Sequence, residues 1–142
     1  FTVRRRGFFK RFDVDEYFSK PAHFQGTLPE WQVYLWLTRR KERGWTFQSS
    51  IMGGRLQLGG VVADFLFSPP EWVPGMVWRV QGEYFHLASS QKQVQDLLQR
   101  IQLEEKGFRV VDILANEVLQ NRDDVLVAAL SGQQLKPTQI LV

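Results

Sequence analysis

The chain has 142 residues, of which 44% are hydrophobic, 13% aromatic and 23% charged, with no cysteine and a formal net charge of +3. That length suits one domain, the apolar content is too high for a disordered chain, and the cysteine count excludes zinc fingers, disulfide scaffolds and thiol catalysis. With His23 and His86 the only histidines, a histidine-rich metal centre is excluded as well.

The charge is unevenly spread. Residues 1–45 carry ten Lys/Arg against five acids, a balance of +5, and the remainder carries −2. A basic stretch on a near-neutral body fits contact with a polyanion. Within residues 1–26, read as an N-terminal arm, Arg4, Arg5, Arg6, Lys10 and Arg11 alternate with Phe8, Phe9 and Phe12. Such a segment can follow phosphates while its rings stack on bases. It can equally dock its rings on an apolar surface, its own or a partner's. No apolar run approaches the ~18 residues of a membrane span. No signal peptide is visible, so a cytoplasmic or virion-associated protein with no membrane contact is expected.

The predicted domain covers residues 27–130. Thr27-Leu28-Pro29-Glu30 reads as a capping box with proline in the first turn. The helix it opens is predicted to run to Arg43, with Gly44 as its left-handed terminator and Arg39, Arg40, Lys41 and Arg43 at the negative end of the dipole. Trp31, Leu35 and Thr38, with Tyr34 beside them, form its expected inward face. Strand patterns follow at Trp45–Ser50, Leu56–Leu58, Val61–Phe67 and Met76–Gln81, with a turn at Met52–Arg55 and a three-proline break at Ser68–Gly75. They outline an antiparallel meander.

The period then changes. Gln91–Lys106 is predicted helical, with Val94, Leu97, Leu98, Ile101 and Leu103 facing inward and Gly107 ending it. Phe108–Leu114 reads as a strand. Two short helices are expected next, one capped by Asn116 and running to Leu119, the other from Asp123 to Leu130. A tail, 131–142, closes the chain. The pattern is that of one mixed α/β (α+β) domain with a central mixed sheet flanked by helices. No phosphate-cradling glycine loop or serine-hydrolase elbow is present.

Asp64 stands out, because aspartate is disfavoured in strands and seldom buried without a partner. By alternation it shares a face with Val62 and Leu66, while Arg79 shares one with Val77 and Gln81 on the next strand. If the two strands are neighbours, Asp64 faces Arg79 and Gln81. An acid on one strand opposite two polar residues on the next is a layout on which a metal-dependent phosphodiesterase can be built. The preferred reading of the residues is a structural pair between Asp64 and Arg79.

Several motifs fall in a familiar order: Glu30 on the first helix, Val62-Ala63-Asp64-Phe65, Trp78-Arg79-Val80-Gln81-Gly82, His86, and Leu103-Glu104-Glu105-Lys106-Gly107-Phe108-Arg109-Val110. In this order the chain resembles the PD-(D/E)XK nuclease superfamily, and within it the very-short-patch-repair-like and small endonuclease-like branch, over residues 27–130. The resemblance implies a restriction-endonuclease-like core and, in an active member, Mg²⁺ held by Asp64 and a second carboxylate. Arg79 stands where the family pattern has that second carboxylate, and Gln81 where it has a lysine or an acid. A fixed cation beside Asp64 repels a metal. Glu83 keeps the parity of Arg79 and Gln81 and is the one candidate replacement ligand, while His86 is a candidate base.

Three functions follow as expectations. The first is a catalytically degenerate nuclease-fold domain acting as a DNA-binding or assembly module, with DNA, a protein partner or a larger complex as its partners. In that case Arg4, Arg5, Arg6, Lys10, Arg11, Arg39, Arg40, Lys41 and Arg43 make the contact, and no cofactor is expected. The second is an active Mg²⁺-dependent endonuclease using Asp64 and Glu83 as ligands, Gln81 to orient water and Glu30 to assist. The third is a purely structural protein of a viral particle or other large complex.

Overall fold

The computed structural model describes residues 16–51, 61–81 and 90–133. The basic residues Arg4 to Arg11, the turn and strand expected at 52–58, Glu83, His86 and the end of the tail lie outside the described residues. The chain divides into two compact units, Phe1–Lys41 and Glu42–Val142.

In the first unit, helix α1 spans Leu28–Arg39. The capping box forms as expected: Glu30 N donates to Thr27 Oγ1 at 3.3 Å, and Thr27 N donates back to the Glu30 carboxylate at 2.8 Å. The helix ends earlier than expected. Arg40 is its C-cap and Lys41 takes the left-handed position at φ 59°, where Gly44 was expected. The buried set is Glu30, Gln32, Val33, Leu35, Trp36 and Leu37, whereas Thr38 is exposed and hydrogen-bonds back to the Tyr34 carbonyl at 2.8 Å. A helical turn at residues 16–18 precedes α1. Its chain is tied to α1: the Trp31 indole donates to the Glu16 carbonyl at 3.2 Å, and Phe24 meets Trp31 and Tyr34 edge-on at 5.2 and 5.5 Å.

The second unit is built on a four-stranded sheet ordered β1-β2-β3-β4, with β1 Trp45–Ile51, β2 Val61–Phe67, β3 Met76–Gln81 and β4 Arg109–Leu114. The first three strands are antiparallel neighbours, and β4 runs parallel to β3, a pairing that needs a long crossover between them. That crossover contains α2, Ser90–Glu105. The last element is α3, Ala115–Leu130, which Asn121 kinks at φ −143°, ψ 46°. The kink divides this span into two helical segments, as the two short helices expected here require, with Asn121 in the gap between them. Its N-cap is Leu114 rather than Asn116.

Each face of the sheet has its own chemistry. One carries an aromatic layer in which Phe65 meets Phe47 at 5.1 Å and Phe67 meets Trp78 at 4.6 Å. Phe65, Phe67 and Trp78 are fully buried, and such rings supply much of the apolar burial in a small domain. The other face holds Val77 and Val110, against which Leu103 of α2 packs, with Leu66 and Phe108 at the margin. Among the described residues, no helix is long and apolar enough to cross a membrane.

The orientation of α2 corrects the sequence reading. Val94, Leu97, Leu98 and Ile101, expected inside, are 55%, 55%, 54% and 40% exposed. Leu103 is buried as expected, and it shares the face turned to the sheet with Asp96 and Arg100. The physical reason lies in the sheet: its α2 side carries two charged residues, Arg79 and Asp112, and these draw the charged side of the helix toward them.

Candidate functional site

Arg79 is the centre of the site. It lies in register with Asp112 on the parallel neighbour β4, so the two side chains leave the sheet on the same face. Its Nε donates to Asp112 Oδ1 at 2.6 Å and its Nη2 to Asp112 Oδ2 at 3.0 Å, a two-pronged contact. From α2, Asp96 closes the other side, with Nη1 to Oδ1 at 2.9 Å and Nη2 to Oδ2 at 3.1 Å. Nη1 also reaches the Asp96 carbonyl at 3.3 Å. One guanidinium is therefore held between two carboxylates, and the residue is only 6% exposed.

Arg100, one helical turn beyond Asp96, completes the network. Its Nη1 donates to Asp112 Oδ2 at 2.8 Å, its Nη2 to the Val110 carbonyl at 3.1 Å, and its Nε faces Glu104 at 3.7 Å. Two arginines are matched by Asp96, Asp112 and Glu104, and Asp112 bridges both cations. Burial by itself pushes the Arg79 pKa down. The hydrogen bonds and charge of Asp112, and then those of Asp96, outweigh it and hold the pKa above its ordinary value. The guanidinium is thus a permanent charge.

Asp64 takes a different partner. Arg79 gives its guanidinium to Asp112 and Asp96 rather than to Asp64, which corrects the expected Asp64–Arg79 pair. Asp64 Oδ2 accepts the backbone N–H of Val80 at 2.7 Å. The sheet is interrupted around it: the β2–β3 register ends at Phe65↔Trp78, and the β1–β2 register passes from Phe47↔Phe65 to Ser49↔Ala63, skipping Gln48 and Asp64. Gln48 has φ 54°, a left-handed conformation that is uncommon outside glycine and marks local strain. The carboxylate thus takes up a β3 amide beyond the last β2–β3 pair.

The other candidates fall as follows. Gln81 is half-buried at the end of β3, in register with Leu114. The Glu30 carboxylate is the reciprocal half of the capping box, accepting from both Thr27 N and Thr27 Oγ1. Of the basic residues, Arg39 pairs with Glu16, Arg40 lies 4.6 Å from the Trp36 ring centroid, and the Arg43 carbonyl accepts the Trp72 indole N–H at 2.7 Å. Arg39, Arg40, Lys41 and Arg43 are all exposed. Among the described residues, no three His, Asp or Glu side chains gather as a group that could hold a metal.

Sequence reasoning missed Asp96, Arg100 and Asp112. Asp112 carries the same signal as Asp64, an acid inside an apolar strand, and Asp96 with Arg100 has the i, i+4 spacing of a helical ion pair. Comparison with family models, with curated proteins and with solved structures finds no match to the chain.

Proposed function

We propose that the chain is a nuclease-like domain without metal chemistry, which works as an assembly module through its surfaces. The observation that carries this reading is the buried Arg79, clamped between Asp112 and Asp96. Under the PD-(D/E)XK resemblance its position is the one that would supply the second metal ligand. The order helix, three-strand meander, helix, parallel strand supports the resemblance, as does an acid on the second strand beside polar residues on the third.

The described donor set does not fit Mg²⁺. A divalent ion of this kind needs oxygen ligands in a near-octahedral shell. Here the nearby carboxylates of Asp96 and Asp112 are already neutralised by two guanidinium groups, and a permanent cation repels a second one. Asp64 accepts the backbone amide of Val80. These groups do structural work, holding β3, β4 and α2 together.

Titration calorimetry with Mg²⁺ and with Mn²⁺, run beside cleavage assays on plasmid, nicked and branched DNA, tests the reading. No binding at millimolar metal and no cleavage are expected. Tight metal binding that Asp64→Ala abolishes would overturn it and restore the endonuclease that uses Asp64 and Glu83.

A DNA-binding role is the second reading, favoured by the exposed run Arg39, Arg40, Lys41 and Arg43. It requires an affinity for duplex DNA that falls steeply with salt, because phosphate contacts release counterions. Negligible affinity at low salt rejects it and leaves the assembly role alone.

A further inference from the structure

We infer that the outward face of α2 is a self-complementary docking surface on which a second copy of this chain packs, helix against helix and antiparallel. The inference stands on α2 alone and does not depend on the nuclease resemblance.

The surface is an ordered apolar stripe. Val94, Leu97, Leu98 and Ile101 are spaced by three, four and seven residues, so they are neighbours on one side of the helix. All four are from 40% to 55% exposed. They are not a misplaced core, because the opposite side of α2 is already occupied: Asp96 and Arg100 bind Arg79 and Asp112, and Leu103 is fully buried against Val77 and Val110. Rotating the helix to bury the stripe would break that network. The helix is therefore fixed with its apolar side outward.

The identity of the occupant follows from symmetry and charge. The midpoint of Ser90–Glu105 falls between Leu97 and Leu98, which is also the middle of the stripe. A two-fold axis there sets Leu97 against the partner's Leu98 and Val94 against the partner's Ile101. Every apolar side chain meets another, as an isologous contact requires. The exposed residues beside the stripe include Gln91, Gln95 and Gln102, uncharged groups that bring no repulsion when two copies meet.

Charge then chooses the direction. α2 has no acid in its first turn and no base in its last, and Glu104 and Glu105 occupy the last turn. Acids at a helix C-terminus oppose the dipole. An antiparallel copy carries them to the positive N-terminus of its mate, near Gln91 and Ser90, whereas a parallel copy would bring four carboxylates together. The seam is shorter than a standard interface of about 800 Å² per partner, so the dimer is a weak one, with a dissociation constant on the order of 10–100 µM.

Sedimentation velocity of the full chain from about 5 to 500 µM is the test. The wild-type weight-average mass should rise toward twice the monomer. Leu98→Lys, an exposed substitution that leaves the melting temperature unchanged, should remain monomeric throughout. Because the chain has no cysteine, pairing can also be read by cross-linking: Val94→Cys mixed with Ile101→Cys should give a disulfide heterodimer, and neither alone a homodimer. A wild type that stays monomeric at 500 µM, a Leu98→Lys variant that associates equally well, or a Val94→Cys homodimer would each overturn the inference.

Discussion

Arg79 and Asp112 stand in register on parallel strands, and their two-pronged contact at 2.6 and 3.0 Å is the ion pair from which the rest of the network is built. Asp96 and Arg100 come to it from α2, so one cluster joins three elements. A buried pair of this kind is weak evidence for net stabilisation, since removing charges from water offsets much of their attraction. Breaking it is another matter. Arg79→Ala leaves two partly buried carboxylates facing each other and should cost about 3–5 kcal/mol of unfolding free energy. Arg79→Lys keeps the charge but loses the fork, and should cost less. Urea denaturation of the three proteins measures the order; equal stability of wild type and Arg79→Ala would show the network to be energetically idle.

The raised pKa of Arg79 has a direct consequence for alkaline stability. A cation whose folded pKa exceeds its unfolded value contributes fully below the unfolded value, and loses that contribution only as pH rises through the folded one. Both lie above the range in which the fold can be studied. The stability difference between wild type and Arg79→Met should therefore stay constant from pH 7 to pH 10. Its measurement by denaturation at several pH values is straightforward, and a difference that shrinks toward pH 10 contradicts a permanently charged Arg79.

Asp64 allows a sharper test, because it accepts a backbone amide, that of Val80. Asp64→Ala removes the acceptor at 2.7 Å from Val80 N and orphans that amide, a loss of about 1–3 kcal/mol. Asp64→Asn keeps an acceptor oxygen in the same place and should recover most of the loss. If Asn is as damaging as Ala, the negative charge matters, and Asp64 then answers to a cation. Thermal melts with and without Mg²⁺ separate the cases.

What the sequence disclosed, and what it hid, divides along physical lines. The capping box at Thr27 and Glu30, the bounds of β2 and β3 and their antiparallel pairing were legible because they depend on neighbouring residues and on alternation. The face of α2 was not. Periodicity reports that a helix has an apolar side, not that this side meets the core, and here charged residues on the sheet decided the matter. Alternation directs attention to Arg79 but does not identify its partners, Asp112 and Asp96. Asp112 lies 33 positions away on a strand whose register is set only after the α2 crossover. Gly44 has the sequence position of a helix terminator, yet it serves the entry to β1, where a Cβ would come within 2.7 Å of Glu71 Cβ.

Gln32 presents the opposite situation to Arg79. It lies on α1, is fully buried, and among the described residues neither its Oε1 nor its Nε2 has a hydrogen-bond partner. A buried amide without partners forfeits its hydration with nothing in return, at about 1–3 kcal/mol by mutational measure. Methionine matches its length and flexibility and carries no such requirement. Gln32→Met should therefore raise the unfolding free energy by about 1–2 kcal/mol, at the lower end of that penalty because methionine packing is adjusted rather than designed. Gln32→Ala should not, since the cavity it opens offsets the relief. Chemical denaturation of the two variants distinguishes them. If Gln32→Met lowers stability as much as Gln32→Ala does, the amide makes interactions that hold the fold, and its burial is a feature of the site rather than a penalty within it.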